Sequence, residues 1–571
     1  MCRSKQLLVF FLGVCLTTAE TGAAWREPVR APHGMVASTE RAASQIGVDV
    51  LNRGGNAIDA AVAVAFGLAV LYPQAGNLGG GGFMMIRQND GAATAIDYRE
   101  TAPAAATREM FVGPDGQLIK GKESSTLGYR ASGIPGTVAG LAFALKKYGS
   151  GKLTWAELIE PARKLAADGF PLSKRTANLL QDTQAILSPF TESRRIFLRA
   201  GKFYQEGETL RQPELAATLE RLQKKGPREF YEGETARLIA EDMKRSHGLI
   251  TADDLRNYTP KERTPLRGSY RGYAIISMPP PTSGGLVLLE MLNILEGFEL
   301  KKLHPFSAER YHLLVETMRR AYADRAEYMG DTDFAPVPVA GLIDKVYAER
   351  QRSTINPERA STSAEVHGGK PARSESKQTT HFTIVDPAGN AVANTYTLNG
   401  WFGSGVVAKG TGVLLNNEMD DFTSKPGEPN MFGAIQGEPN AIAPGKRPLS
   451  SMTPTFVVRP DGTLYFALGS PGGTTIPNTV LQVISNVIDH GMNLQEAIDA
   501  PRLHHQWVPD EIRDEPRGLS GDTRRALEAR GHKFTTTLEN MGDVQGIMIE
   551  EKTNVRLGAS DARQDGAAIG F

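Results

Sequence analysis

Cysteine is nearly missing from this chain of 571 residues: Cys2 and Cys15 are the only two, and both fall at the very N-terminus. With that segment removed, neither a disulfide nor a thiol nucleophile is available, and stability has to come from burial. Net charge is missing too, with 64 Lys and Arg against 64 Asp and Glu. No global field would draw such a chain to nucleic acid or to an anionic membrane, so small molecules are the expected partners. No Gly-x-Gly-x-x-Gly opens a helix, and no Gly-Lys-Ser/Thr follows the run Gly79-Gly80-Gly81-Gly82, which excludes the common nucleotide loops. No His-Glu-x-x-His stands out among the histidines and no Gly-x-Ser-x-Gly elbow is present, so neither a metal nor a serine nucleophile is expected, nor any other cofactor. Asp420-Asp421 lacks the alternating oxygen ligands and distal Glu of a calcium loop.

What is present reads as a globular chain behind a leader, with 40% hydrophobic and 22% charged residues. Two basic residues in Met1 to Lys5 precede the apolar run Leu7 to Leu16, and small and polar residues follow to Ala24. That is a three-part signal peptide over 1–24, too short to span a bilayer as an anchor, and it predicts export to the periplasm or the medium. A lipid anchor at Cys15 would want a small residue before it and finds Val14.

From His33 to about Leu71 the apolar spacing predicts two helices broken at Arg53-Gly54-Gly55-Asn56. The glycines at 79–82 run into an apolar strand and predict a close approach of backbone to backbone or ligand. Leu153 to about Met329 reads as mostly helical, interrupted by a shaped loop at Met278-Pro279-Pro280-Pro281. Ser361 to Gln378 is polar and poor in large apolar residues, which predicts a flexible, exposed linker and the only candidate boundary. A hairpin follows: Thr379 to Asp386, a turn at Pro387 to Asn390, and a second strand from Ala391 to Leu398. Thr397 and Asn399 are expected on one face of that second strand. Strands at Pro454 to Val458 and Thr463 to Leu468, and a helix at Thr479 to His490, continue an α/β pattern.

Several long motifs occur in one order: Asp97-Tyr98-Arg99-Glu100-Thr101-Ala102-Pro103, Met278 to Gly285, Thr379-Thr380-His381-Phe382, Tyr396 to Asn399, Asn416 to Phe422, Pro448 to Met452, Gly469 to Gly473, Ala500 to Gln506 and Gly558 to Asp561. Together they closely resemble the γ-glutamyltransferase (glutathione hydrolase) family over nearly the whole mature chain. The resemblance implies an N-terminal nucleophile hydrolase, an α/β (α+β) four-layer αββα sandwich that cuts itself between Gln378 and Thr379. The products would be a large subunit, 25–378, and a small one, 379–571, packed as one globular unit. Cleavage has a chemical logic: a peptide nitrogen is not a base, whereas a freed α-amine titrates at about 8 and can take the proton of its own hydroxyl.

By the same resemblance Thr379 is the nucleophile, Thr397 orients it, and the backbone amides of Gly472 and Gly473 form an oxyanion hole. Arg99, Ser450 and Ser451 match positions that hold the substrate α-carboxylate; Asn399, Glu418 and Asp421 match those that hold its amino group. A γ-glutamyl group carries both charges, so such a site needs both signs. The implied reaction is cleavage of glutathione and related γ-glutamyl compounds through an ester on Thr379, with transfer to water or to amino acid or peptide acceptors. Residues Ser424 to Gly437 resemble a lid loop, with Phe432 where familiar bacterial members carry a tyrosine. Two alternatives stay open: an acylase that removes glutaryl groups from cephalosporins, whose substrate lacks the α-ammonium, and a non-catalytic binding protein that keeps the fold.

Overall fold

The computed structural model describes residues 26–371 and 381–571. The leader, Gln378 and Thr379 therefore lie outside the described residues.

Two seven-stranded antiparallel sheets form the centre. In chain order their strands are β1 (Val29–Ala31), β2 (Met35–Ser38), β3 (Gly81–Arg87), β4 (Ala93–Asp97), β5 (Lys261–Arg263), β6 (Leu266–Tyr270), β7 (Tyr273–Ser277), β8 (Phe382–Val385), β9 (Ala391–Thr397), β10 (Thr455–Val458), β11 (Leu464–Gly469), β12 (Gln545–Ile549), β13 (Arg556–Ser560) and β14 (Ala567–Gly570). One sheet runs β1-β13-β12-β11-β10-β7-β6 and the other β14-β2-β8-β9-β3-β4-β5. Each sheet takes strands from both sides of the 372–380 segment.

Three apolar cores separate four layers. On β9, Val392 and Tyr396 point to one core with the helices α1 (Arg41–Asn52) and α2 (Ala57–Leu71), while Ala391 and Ala393 point to another, shared by the two sheets. The alternation repeats on β3, where Met84 and Ile86 face the helices and Phe83 and Met85 face the second sheet. A third core lies beyond that sheet, under α3 (Gly284–Leu295), α4 (Ala308–Tyr328) and α5 (Ile476–Ile488). Strands covered on both faces must be apolar on both, which is why these segments read as nearly continuous hydrophobic runs. The stacking is helix, sheet, sheet, helix, as expected. No helix among the described residues is long and apolar enough to cross a membrane.

Three expectations need correction. Met35–Ser38 is a strand, not part of the first helix; its apolar residues are buried on both faces, and a run that short cannot be told from a buried helix by period alone. Lys261–Arg263, Leu266–Tyr270 and Tyr273–Ser277 are strands inside a stretch read as helical. The first part of the polar linker is also pinned. The Ser361 N–H and Oγ donate to Glu316 at 3.0 and 2.6 Å, Trp507 Nε1 donates to the Ser363 and Val366 carbonyls, and the Gly369 N–H donates to Asp324 Oδ1 at 2.6 Å. Polar composition signalled exposure there, but polar residues hold just as well to buried carboxylates.

Candidate active site

The site forms where β9 ends. Thr397 pairs with Gly81 on β3, and a Cβ on the neighbouring Gly80 would lie 2.0 Å from the Thr397 carbonyl oxygen. Only glycine lets the backbones meet so closely, the approach that the glycine run predicts. The chain then leaves the strand: Asn399 has φ 76°, in the left-handed region that Asn tolerates. Its N–H donates to Thr397 Oγ1 at 2.8 Å and its Nδ2 to the Asn417 carbonyl at 3.0 Å. The expected sharing of a strand face is thus replaced by a turn that aims both residues at one cavity.

That cavity, of about 320 Å³, is walled by Thr397, Asn399, Asp421, Ser450, Ser451, Gly472 and Gly473. Arg99 and Glu418 are absent from the wall and lie fully buried behind Asp421. Arg99 Nη2 donates to Asp421 Oδ2 at 2.6 Å, and Arg99 Nη1 lies 2.6 Å from Glu418 Oε2 and 3.6 Å from Glu100 Oε2. The residues expected to hold opposite ends of a substrate therefore face one another directly.

Charge in this cluster is unevenly supplied. Burial raises the pKa of Glu418 well above the carboxylate range, that of Glu100 to about 8 and that of Asp421 to about 6, with Arg99 opposing in each case. Burial works against Arg99 as well, but the surrounding carboxylates outweigh it and keep the guanidinium charged. Ser450 and Ser451 are backed by the proline loop, which contains a cis Pro280-Pro281 bond. Ser283 Oγ donates to the Ser450 carbonyl at 2.8 Å and accepts from Arg325 Nε at 3.0 Å.

Gly472 and Gly473 have φ of 133° and 55°, conformations that favour glycine, and they lead through Thr474 and Thr475 into α5. They precede the N-terminus of that helix, the end that favours negative charge. The lid loop is folded onto the cavity. The Met431 N–H donates to Asp420 Oδ2 at 2.9 Å, Asn430 Nδ2 to Asp421 Oδ1 at 3.2 Å and Gln506 Nε2 to the Phe432 carbonyl at 3.2 Å. The Phe432 ring lies against Gly473, so close that a Cβ there would be 2.7 Å from its Cδ1.

Arg325, Arg513, Glu539 and Asn540 also line the cavity and are not foreseen from the sequence, while Asn430 comes from the expected lid loop. Neither arginine had a signal: Arg325 is one of four buried arginines on α4, with Arg310, Arg319 and Arg320. His312, Glu316 and His532 cluster with ligand-like spacing. The His312 Nδ1 and His532 Nε2 atoms share a hydrogen bond of 2.8 Å, and Glu316 accepts from Arg320 and Ser361, so the atoms that face one another already have protein partners.

A four-layer αββα stack with a polar cavity at the end of its central hairpin is the architecture of the N-terminal nucleophile hydrolases. Residues 43–571 match the model of the gamma-glutamyltranspeptidase family, and the chain belongs to that family. It is 51% identical over 537 residues to the glutathione hydrolase proenzyme of Escherichia coli (strain K12), covering 94% of this chain and 91% of that one. The corresponding proenzyme of Pseudomonas sp. (strain A14) is 48% identical over 578 residues, with 100% and 99% covered. Among solved structures, cephalosporin acylase from Bacillus halodurans superposes with a TM-score of 0.85 at 29% identity, covering 97% of this chain and 98% of that one. The family resemblance carried by the motifs is borne out.

Proposed function

We propose that this chain is an autoprocessing γ-glutamyltransferase that cleaves γ-glutamyl amides such as glutathione. The observation that carries the reading is near-full-length identity of about half to two glutathione hydrolase proenzymes. The cavity beside the hairpin supports it, since β8 begins at Phe382, directly after the expected Thr379-Thr380-His381 start.

In the precursor, the Thr379 hydroxyl attacks the Gln378 carbonyl carbon, the peptide bond shifts to an ester, and water hydrolyses it, leaving a Gln378 carboxylate and a Thr379 amine. The large subunit would then end at 378 and the small one begin at 379. In turnover, that amine takes the proton of the Thr379 hydroxyl as the oxygen attacks the γ-carbonyl carbon. Gly472 and Gly473 donate to the oxyanion; losing one such donor typically costs about 3 kcal/mol. The C–N bond breaks as the Thr379 ammonium passes that proton to the departing nitrogen, and water or an acceptor amine then reverses the sequence to release the γ-glutamyl group. Thr397 orients the nucleophile. The α-carboxylate goes to Arg99, Ser450 and Ser451, and the α-ammonium to Asp421, Glu418 and Asn399, so the substrate's two charges separate the pair that now face each other. Export, with removal of residues 1–24, belongs to the same proposal.

The acylase reading has the structural likeness to cephalosporin acylase in its favour. Against it stands an acidic cluster around Arg99 that a glutaryl group, with no ammonium, would leave uncompensated. Mass spectrometry and N-terminal sequencing of the purified protein test the reading, followed by assay on γ-glutamyl and glutaryl anilides. Two polypeptides, the smaller starting at Thr379, and preference for the γ-glutamyl anilide are expected. Thr379→Ala should stay uncut and inactive. Normal maturation of that variant would overturn the mechanism.

A further inference from the structure

The cavity differs between its two ends. Asp421, Ser450 and Ser451 are nearly inaccessible, whereas Trp401 and Met431 at the mouth are 41% and 45% exposed. Arg513 lines the same cavity and is partly exposed. Its backbone is held in place: His504 pairs with it across a two-residue ladder, and the adjoining Ile512 N–H donates to the Lys533 carbonyl at 2.7 Å. The guanidinium reaches under the lid, where a Cβ on Gly433 would lie 3.5 Å from Nη2.

Among the described residues, no carboxylate oxygen comes within 4.0 Å of Arg513, and its guanidinium makes no hydrogen bond. Glu539 lines the mouth but stays beyond that distance, and the adjoining Asp514 is taken by Arg524 at 3.2 Å. The other arginine of the wall, Arg325, is tied to Ser283. Arg513 is therefore a positioned cation, partly sheltered by Phe432 and Gly433, with nothing to neutralise it.

We propose that Arg513 recognises the free C-terminal carboxylate of the amine on the far side of the scissile bond. That amine is the peptide leaving the γ-glutamyl group, or the amino acid or dipeptide acceptor that replaces it. The inference rests on the acyl-transfer reading above. An acceptor attacks along the path by which the leaving amine departed, so one subsite serves both. The γ-glutamyl group's own two charges are met at the buried end. A second carboxylate beyond the scissile bond needs a second cation, and a planar guanidinium can bind it through two parallel hydrogen bonds.

The test compares three donors: γ-glutamyl-alanylglycine with a free C-terminus, the same peptide amidated, and γ-glutamyl-p-nitroanilide. Arg513→Ala should lower kcat/KM for the free peptide about tenfold more than for the amide or the anilide, mainly through KM. Arg513→Lys, which keeps the charge, should recover part of that difference. Equal changes on all three donors, or none, would overturn the assignment, because a residue that only supports the lid does not sense the peptide's C-terminus. A wild-type protein inactive on all three would instead sink the acyl-transfer reading itself.

Discussion

Two buried clusters of charge balance in opposite ways. Around Arg99, one guanidinium faces Glu418, Asp421 and Glu100. Around Glu316, Arg319 and Arg320 meet that carboxylate and Asp510, two cations for two anions, with Ser361 and Ser363 closing the network. The outcome differs accordingly. Burial would raise Glu316, yet Ser361, Arg319 and Arg320 hold it down to about 2, while Asp421 is pushed up to about 6. A cluster that satisfies itself is a structural tie. One left short of positive charge suits a cation, which under the proposed function would be the substrate ammonium.

The largest expected effect tests the short cluster. Arg99→Met leaves buried carboxyls with no counter-ion and takes away the carboxylate partner, so kcat/KM should fall about a thousandfold on both γ-glutamyl and glutaryl anilides. A loss confined to the γ-glutamyl substrate would assign Arg99 to the wrong end.

Next comes the balanced cluster. Glu316→Gln should cost about 3 kcal/mol in denaturant unfolding at neutral pH, with kcat per folded molecule kept, because Glu316 touches structural partners only. Its folded pKa of about 2 lies below the unfolded 4.5, so this stability is present above pH 4.5 and lost as pH falls towards 2. A parallel fall in kcat would join the two clusters into one functional unit.

Asp421→Asn should reduce kcat/KM for the γ-glutamyl anilide about 30-fold and affect the glutaryl anilide much less. In the wild type, activity should decline as pH drops through about 6, where Asp421 takes up a proton. Its effect on stability has the reverse sign to that of Glu316. The folded pKa lies above the unfolded 3.8, so the contribution is fully present below pH 3.8 and is lost as pH rises through about 6. An acid limb that survives in Asp421→Asn would move the titration to another group. The smallest change is Glu418→Gln: the residue lies behind the cavity wall, and Gln keeps its shape and an acceptor oxygen towards Arg99, so kcat/KM should stay within about threefold at neutral pH.

Much of the scaffold was legible because its signals are local. Asn56 and Asp59 cap α2 reciprocally where the break at 53–56 is read, and α4, at Ala308–Tyr328, ends within a residue of its expected end. The β8–β9 hairpin likewise follows from alternation and from the turn before Ala391. The strands at 261–277 escaped, because their pairing partners β4 and β10 lie far away in sequence and no local period announces them.

The same division holds at the site. The motif residues Thr397, Asn399, Asp421, Ser450, Ser451, Gly472 and Gly473 could be named from the chain and do share one cavity. Residue type and order also determined the family, the need for both charges and the glycines where backbones touch, since all of these follow from chemistry written at single positions. Only the tertiary structure decided that Arg99 and Glu418 sit behind the wall in contact with each other, that Glu316 ties down a stretch that reads as loose, and that Arg513 comes to the mouth without an ion-pair partner among the described residues. Burial and charge pairing are properties of neighbours hundreds of residues apart, and no local pattern records which charge will find a counter-ion and which will be left to a ligand.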